Sequence, residues 1–99
     1  MGSAVLEAEA GEVVAASVGR FQWLLGANLR AVRMALGLSL ADVTERSGGR
    51  WKGPTVCAWE RGWRAVHPEV LVELAAFYGT DAAELIPPVG DVPRLSDWG

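Results

Sequence analysis

The chain has little of what catalytic and metal-binding sites are built from. Its 99 residues include one cysteine, Cys57, and one histidine, His67. A single cysteine excludes an internal disulfide and is typical of a protein of the reducing cytoplasm, which is where we expect this one. A histidine without a second histidine or a nearby cysteine is expected to be a helix cap or a solvated side chain. The sequence therefore predicts no metal, no cofactor and no enzyme.

Long apolar runs and a basic leader are also missing. No uninterrupted apolar stretch approaches the roughly 20 residues that cross a bilayer, so we expect no membrane partner. Phosphate-loop, dinucleotide and zinc motifs are absent, as are internal repeats and strand-like alternation. What the chain does have is 51% hydrophobic residues and five tryptophans, which are enough for the core of one all-α domain.

Charge is distributed unevenly along the chain. The net charge is −3, which by itself disfavours binding to a polyanion. Between Arg20 and Arg64, however, eight basic residues stand against three acidic ones, a balance of +5. The acidic residues are concentrated in the flanks, with −3 over residues 1–19 and −5 over residues 65–99. The central segment is therefore predicted to bind an anion.

Two segments with helical spacing begin the chain. Residues 20–36 predict an amphipathic helix that Gly37 ends, with an apolar stripe of Phe21, Leu25, Leu29, Val32 and Leu36. Residues 3–18 are compatible with another helix, on which Leu6, Val13 and Val14 are a candidate dimer seam. A frayed tail, a dimerisation or docking helix and a solubility tail are the open interpretations of this segment. We expect an extension over 1–19, a domain over 20–88 and an extended, flexible C-terminal tail over 89–99.

Two short helices joined by a glycine-rich turn form the centre of the domain. Ser39 is placed to cap the first, and Gly48-Gly49 can end it in a left-handed conformation. The second begins at Pro54, ends at Gly62 and is predicted to bury a stripe of Val56, Trp59 and Trp63. One buried face and one free face on the second helix are typical of a helix-turn-helix.

Two further helices are predicted to pack against this pair. The fourth begins at Pro68 and ends at Gly79, and a fifth runs from Asp81 to Ile86. Their predicted inner face consists of Val66, Leu71, Leu74, Ala75, Tyr78, Leu85 and Ile86. Arg33 and Glu60, each late in its helix, are expected to form an ion pair where the first and third helices cross.

The connection before the third helix places an aromatic residue between two cations, Arg50, Trp51 and Lys52. One interpretation is a solvated loop whose tryptophan folds back onto the core. The other is a phosphate clamp whose tryptophan packs on sugar or backbone.

The order of these helices and the motifs within them resemble a known family. Residues 25–87 resemble the Cro/C1-type (XRE) helix-turn-helix domain, and GRWKGPTVCAWERGWRAV followed by LAAFYG and ELIP is similar to the N-terminal DNA-binding domain of BldD-type actinobacterial regulators. The resemblance implies a five-helix domain that places its third helix in the major groove of double-stranded DNA. It also implies a homodimer on a pseudo-palindromic operator.

The resemblance also implies the site residues. Base-contacting positions of relatives correspond to Gly53, Pro54 and Ala58, and phosphate contacts correspond to Lys52, Arg61 and the start of the second helix at Ser39 and Leu40. Gly, Pro and Ala cannot form the bidentate hydrogen bonds that read base edges. Specificity is therefore expected from Arg50, Trp51, Lys52, Thr55, Cys57 and Arg61, from contacts of Ala58 with thymine methyl groups, or from DNA shape.

Two functions remain in competition at this stage. The first is a sequence-specific transcriptional regulator with its basic GRWK loop on the phosphate backbone. The second is a helix-turn-helix scaffold that binds a protein, such as an antirepressor, an antitoxin-like partner or a factor associated with RNA polymerase. The acidic flanks, apolar residues at Leu36 and Leu40, and Trp98 near the C-terminus favour a protein partner that docks on the N-terminal extension or the tail.

Overall fold

Five α-helices make up the described part of the chain. The computed structural model describes the backbone of residues 2–88 and the side chains of residues 18–88. In chain order the helices are α1 (Gly2–Ala35), α2 (Leu40–Arg46), α3 (Gly53–Glu60), α4 (Pro68–Tyr78) and α5 (Ala82–Leu85). No strand occurs among these residues, so the predicted all-α fold is confirmed. The tail with Trp98 and the side chains of the predicted seam at Leu6, Val13 and Val14 lie outside the described residues.

The first helix is longer than the sequence predicts. The N-terminal extension and the following amphipathic segment form one continuous helix of 34 residues, about 51 Å long at 1.5 Å per residue. The helix boundary expected near residue 19 is therefore wrong, although the division into domains there stays a prediction. Gly11 and Gly19 each cost the helix about 1 kcal/mol relative to alanine, but a glycine does not end a helix that favourable neighbours continue.

The second helix begins at a capping box. The Ser39 hydroxyl accepts a hydrogen bond from the Asp42 amide at 3.0 Å, and the Asp42 carboxylate accepts one from the Ser39 amide at 2.8 Å. These bonds to Ser39 hold the pKa of the Asp42 carboxyl below its usual value. The helix ends as predicted, since Gly48 and Gly49 adopt φ of 68° and 82°.

The core combines one face of each helix. Its buried members are Leu25, Leu29, Leu38, Val43, Trp51, Val56, Trp59, Leu71, Leu74, Ala75, Tyr78 and Leu85. The Trp51 ring meets the edge of Phe77 with centroids 5.3 Å apart, which joins the loop before α3 to α4. The Asn28 amide donates a hydrogen bond of 2.8 Å to the carbonyl of Leu85, which joins α1 to α5.

Two residues predicted to be buried, Trp63 and Ile86, are exposed instead, and Leu36 at the end of the predicted stripe of α1 is exposed as well. Trp63 is 73% exposed because α3 ends at Glu60 and the turn at Gly62, with φ of 71°, takes the chain out of its helical register. Leu36 is 51% exposed because α1 ends one residue earlier. Ile86 is 43% exposed because it follows the last residue of α5 in an extended conformation.

Glycine sets the distance between α1 and α3. A Cβ atom at Gly26 would lie 2.4 Å from the carbonyl oxygen of Trp59 and 2.5 Å from that of Glu60. Similarly, a Cβ at Gly62 would lie 2.9 Å from the Cα of Trp23. The two backbones therefore touch at the end of α3, where a side chain on α1 has no room.

The predicted ion pair between α1 and α3 is confirmed. Nε and Nη2 of Arg33 donate to the two carboxylate oxygens of Glu60 at 2.7 Å and 2.9 Å, and Nη1 donates to the carbonyl of Leu38 at 2.7 Å. The hydrogen bonds to Glu60 raise the pKa of Arg33. Glu60 is the last residue of α3, where the helix dipole disfavours a carboxylate, so Arg33 offsets both that field and the loss of water.

Among the described helices, none taken singly is both long and apolar enough to cross a membrane. The segments Val18–Ala35 and Leu40–Arg46 meet that criterion only when counted together, across a bend of 80°.

Candidate nucleic-acid interface

The third helix has two different faces. Val56, Trp59 and Glu60 are buried on one side, which confirms the prediction that Trp59 and Glu60 point inward. The opposite side carries Pro54, Thr55, Ala58 and, just past the helix, Arg61, all exposed or half-buried. Its small side chains leave the helix backbone close to the surface, so a partner can approach α3 closely along this face.

The starts of α2 and α3 lie side by side. A Cβ atom at Gly53 would be 3.7 Å from the Cβ of Leu40, an ordinary van der Waals contact. Ser39, directly before α2, and Lys52, directly before α3, are both exposed. The structure thus brings together the predicted phosphate contacts at both helix starts and the predicted base-contacting positions.

The loop before α3 is fixed by Trp51. The hydroxyl of Thr44 on α2 donates to the carbonyl of Trp51 at 2.9 Å, and the Trp51 amide donates to the hydroxyl of Ser47 at 3.3 Å. The indole is 7% exposed and packs against Phe77. Its expected packing on a nucleic-acid sugar is therefore wrong, and the alternative, in which the tryptophan folds back onto the core, is right.

Arg50 is held by an acidic residue of α4. Its guanidinium lies 2.6 Å and 2.8 Å from the two carboxylate oxygens of Glu73, and the arginine side chain is 61% exposed. An exposed ion pair contributes about 0 to 1 kcal/mol, so Glu73 holds this guanidinium only weakly. Lys52, by contrast, forms no ion pair with any described residue.

The remaining predicted positions are spread along α3. Cys57 is half-buried as a free thiol, and Arg61 lies at the far end of the helix with its guanidinium 5.0 Å from the ring centroid of Trp63. Within the described part of the chain, no three His, Cys, Asp or Glu side chains are grouped to hold a metal ion. The surface therefore offers a shallow apolar helix face with cations at its edges.

Sequence reasoning missed two residues that position this surface. Thr44 lies on α2, but its hydrogen bond to Trp51 depends on a loop conformation that no local pattern gives. Gly26 lies inside a strongly helical segment. A glycine at such a position is a sequence signal for close packing of the helix against another backbone, here the end of α3.

Comparisons with known proteins agree with this geometry. Residues 24–86 match the family model described as a helix-turn-helix domain. The crystal structure of the DNA-binding domain of BldD is 51% identical, with a TM-score of 0.68, and the match covers 70% of this chain and 97% of that one. The S. venezulae BldD DNA-binding domain is 51% identical, with a TM-score of 0.67 and coverage of 69% and 99%. The comparison with curated proteins gave no significant match. The resemblance expected from the GRWK, WERG and ELIP segments is thus confirmed, and the chain belongs to the helix-turn-helix domain family, alongside the DNA-binding domain of BldD.

Proposed function

We propose that this chain is a DNA-binding transcriptional regulator that lays α3 in the major groove of double-stranded DNA. The observation that carries the proposal is the two-faced third helix, which buries Val56, Trp59 and Glu60 and leaves Pro54, Thr55 and Ala58 free beside the start of α2. The two similar structures are DNA-binding domains, and each is matched over nearly its whole length. Neither of these two observations depends on the net charge of the chain.

Phosphate contacts follow from the cations at the edges of the surface. Lys52 is exposed at the start of α3, and the backbone at Ser39 and Leu40 lies beside it. Arg61 reaches a phosphate at the far end of α3, and Arg50 joins when it exchanges Glu73 for a phosphate. Each such contact releases counterions and makes binding dependent on salt.

Base recognition on this surface uses few hydrogen bonds. Thr55 and Cys57 carry the polar side-chain groups of the free or half-buried part of α3, and Ala58 offers a methyl contact to thymine. DNA shape supplies the rest of the specificity. Because a single module buries only about 600 to 1,000 Å², we propose that the regulator acts as a homodimer on a pseudo-palindromic site.

A protein-binding module is the second candidate function. Its support is a patch of exposed apolar side chains remote from the start of α3, with Trp23 62%, Met34 57% and Trp63 73% exposed. Such a patch is typical of an interaction site with another protein. A helix-turn-helix regulator can carry both surfaces, so the DNA experiment decides the first function without excluding the second.

Genome-wide mapping of bound DNA tests the proposal and gives the operator sequence. Fluorescence anisotropy with the recovered site and a scrambled duplex, at several salt concentrations, then tests the surface. Lys52→Ala is expected to lower the slope of log K against log salt by about 0.9, the value for one phosphate contact. Arg46→Ala removes an exposed cation from the opposite end of α2 and is the matched control, which should leave the slope unchanged. No salt-dependent binding to any duplex would refute the proposal.

A further inference from the structure

The side chains of α3 that lie farthest from the core are apolar over the first two turns. At 3.6 residues per turn, positions 54 and 58 lie opposite the buried stripe of Val56, Trp59 and Glu60. Pro54 is exposed and Ala58 is half-buried. With α3 in a major groove, the side chains that reach furthest towards the bases are therefore those of Pro54 and Ala58.

Small and apolar residues surround this line. Gly53 has no side chain, and a Cβ there would lie 3.7 Å from the Cβ of Leu40, so the start of α2 packs directly beside the start of α3. Leu40 is half-buried and adds an apolar side chain at this edge. The polar side chains of Thr55 and Cys57 lie about a quarter turn to either side of the line, and both are half-buried. The centre of the surface thus presents hydrocarbon, with polar groups at its margins.

Hydrocarbon side chains of this size distinguish one feature of a base pair. The major groove displays hydrogen-bond donors and acceptors, together with the C5 methyl group of thymine. The side chains of Pro54 and Ala58 have neither a donor nor an acceptor. They therefore contact a methyl group favourably and leave the polar groups of the bases unread. Burying one carbon atom changes the affinity about fourfold, which corresponds to about 0.8 kcal/mol.

We propose that Ala58, with Pro54 one turn before it, reads the C5 methyl group of a pyrimidine, whether the base is thymine or 5-methylcytosine. Both bases carry the methyl group on the same ring carbon and differ at C4, which bears oxygen in thymine and an amino group in 5-methylcytosine. Neither side chain can form a hydrogen bond with the group at C4, so the two bases are equivalent to this surface. Methylation of cytosine therefore strengthens binding to sequences that have cytosine where the operator has thymine. The inference rests on the proposed function, since it requires α3 in the major groove.

Selection from random duplexes tests the inference without knowledge of the operator. Three libraries are prepared by PCR from one template pool: with the natural nucleotides, with deoxyuridine in place of thymidine, and with 5-methylcytosine in place of cytosine. The natural library should enrich sites with thymine at one or more fixed positions. The methylated library should enrich sites with either pyrimidine there, and the uridine library should lose the preference at those positions.

Fluorescence anisotropy with single duplexes measures the size of the effect. Replacing that thymine with uracil should raise Kd about fourfold for each methyl group, and 5-methylcytosine should bind about fourfold more tightly than cytosine. Ala58→Gly removes the contacting side chain and should bring both ratios close to one, and Ala58→Ser, which places a hydroxyl against the methyl group, should also lower them. Ala76→Gly, at an exposed position of α4, is the matched control, because it has the same intrinsic cost to a helix and should leave both ratios unchanged.

The outcomes distinguish this inference from the function on which it rests. Lys52→Ala should weaken binding to duplexes with and without the methyl group alike, so its ratios should equal those of the wild type. Absence of binding to any duplex would refute both proposals, whereas binding that ignores the methyl group would overturn the inference alone. Ratios that persist in Ala58→Gly and Ala58→Ser would also overturn it, because the methyl group would then act through DNA shape or another side chain.

Discussion

Removing the guanidinium of Arg33 while keeping Glu60 is expected to destabilise the domain severely. In Arg33→Met the Glu60 side chain, 5% exposed at the end of α3, loses both hydrogen bonds from Arg33. Breaking one side of a buried ion pair costs about 3 to 5 kcal/mol. Since a domain of this size has about 5 to 15 kcal/mol of stability in total, the variant should retain only part of it.

The double variant Arg33→Met, Glu60→Leu provides the contrast. It removes both charges and replaces them with apolar side chains of similar size, a change that is often neutral in a protein interior. The remaining cost is the hydrogen bond from Arg33 to the Leu38 carbonyl, which contributes about 1 kcal/mol. The double variant should therefore be more stable than Arg33→Met by about 2 to 4 kcal/mol.

Urea unfolding followed by tryptophan fluorescence and far-UV circular dichroism gives these free energies. The four proteins of the cycle, including Glu60→Leu, yield the interaction energy between the two side chains. If Arg33→Met lost less than about 1 kcal/mol, the pair would be merely a surface contact. If the double variant lost the sum of the two single losses, the reasoning from an uncompensated buried charge would be refuted.

Four further predictions concern the packing, the loop and the single tyrosine. Gly26→Ala should cost about 1 to 3 kcal/mol in urea unfolding because its Cβ meets backbone oxygens, whereas the control Gly19→Ala, with nothing within 4 Å, should not destabilise. Trp59→Ala should cost about 3 to 5 kcal/mol, and an unchanged melting temperature would contradict its burial. Glu73→Gln should strengthen DNA binding at low salt by releasing Arg50, and unchanged anisotropy would show that this guanidinium does not reach DNA. Burial raises the pKa of Tyr78 to about 12, so the neutral tyrosine stabilises the fold below pH 10 and this stabilisation is lost between pH 10 and 12. Tyrosinate absorbance of this only tyrosine should show a midpoint near 12 rather than 10, and Tyr78→Phe should lose less stability over the same range.

Local signals in the sequence predicted the helix-turn-helix well. The Ser39 cap, the Gly48-Gly49 stop and the proline in the first turn of α3 act within a few residues, so their outcome does not depend on the rest of the fold. The Arg33 and Glu60 pair was predictable because a helix crossing was expected where both residues occur late in their helices.

The features that the sequence did not predict depend on contacts between residues far apart in the chain. Two places for Trp51 stayed open because its partner Phe77 lies 26 residues further along the chain. Trp63 was assigned to a helix stripe, but the turn at Gly62 breaks the register that the stripe assumes. The close contact of Gly26 with α3 depends on the backbone of another helix, which the periodicity of residues within α1 does not reveal.

The contact of Gly26 with the end of α3 has a consequence for the spacing of operator half-sites. Since backbone meets backbone there, no side chain at that point can adjust the distance between α1 and α3. Pairing through the seam expected on α1 would then hold the two copies of α3 at a fixed separation and angle. One extra base pair between half-sites shifts the second by 3.4 Å and turns it by about 34° around the DNA axis, which a rigid pair cannot follow. The proposed homodimer is therefore expected to require a fixed spacing between half-sites.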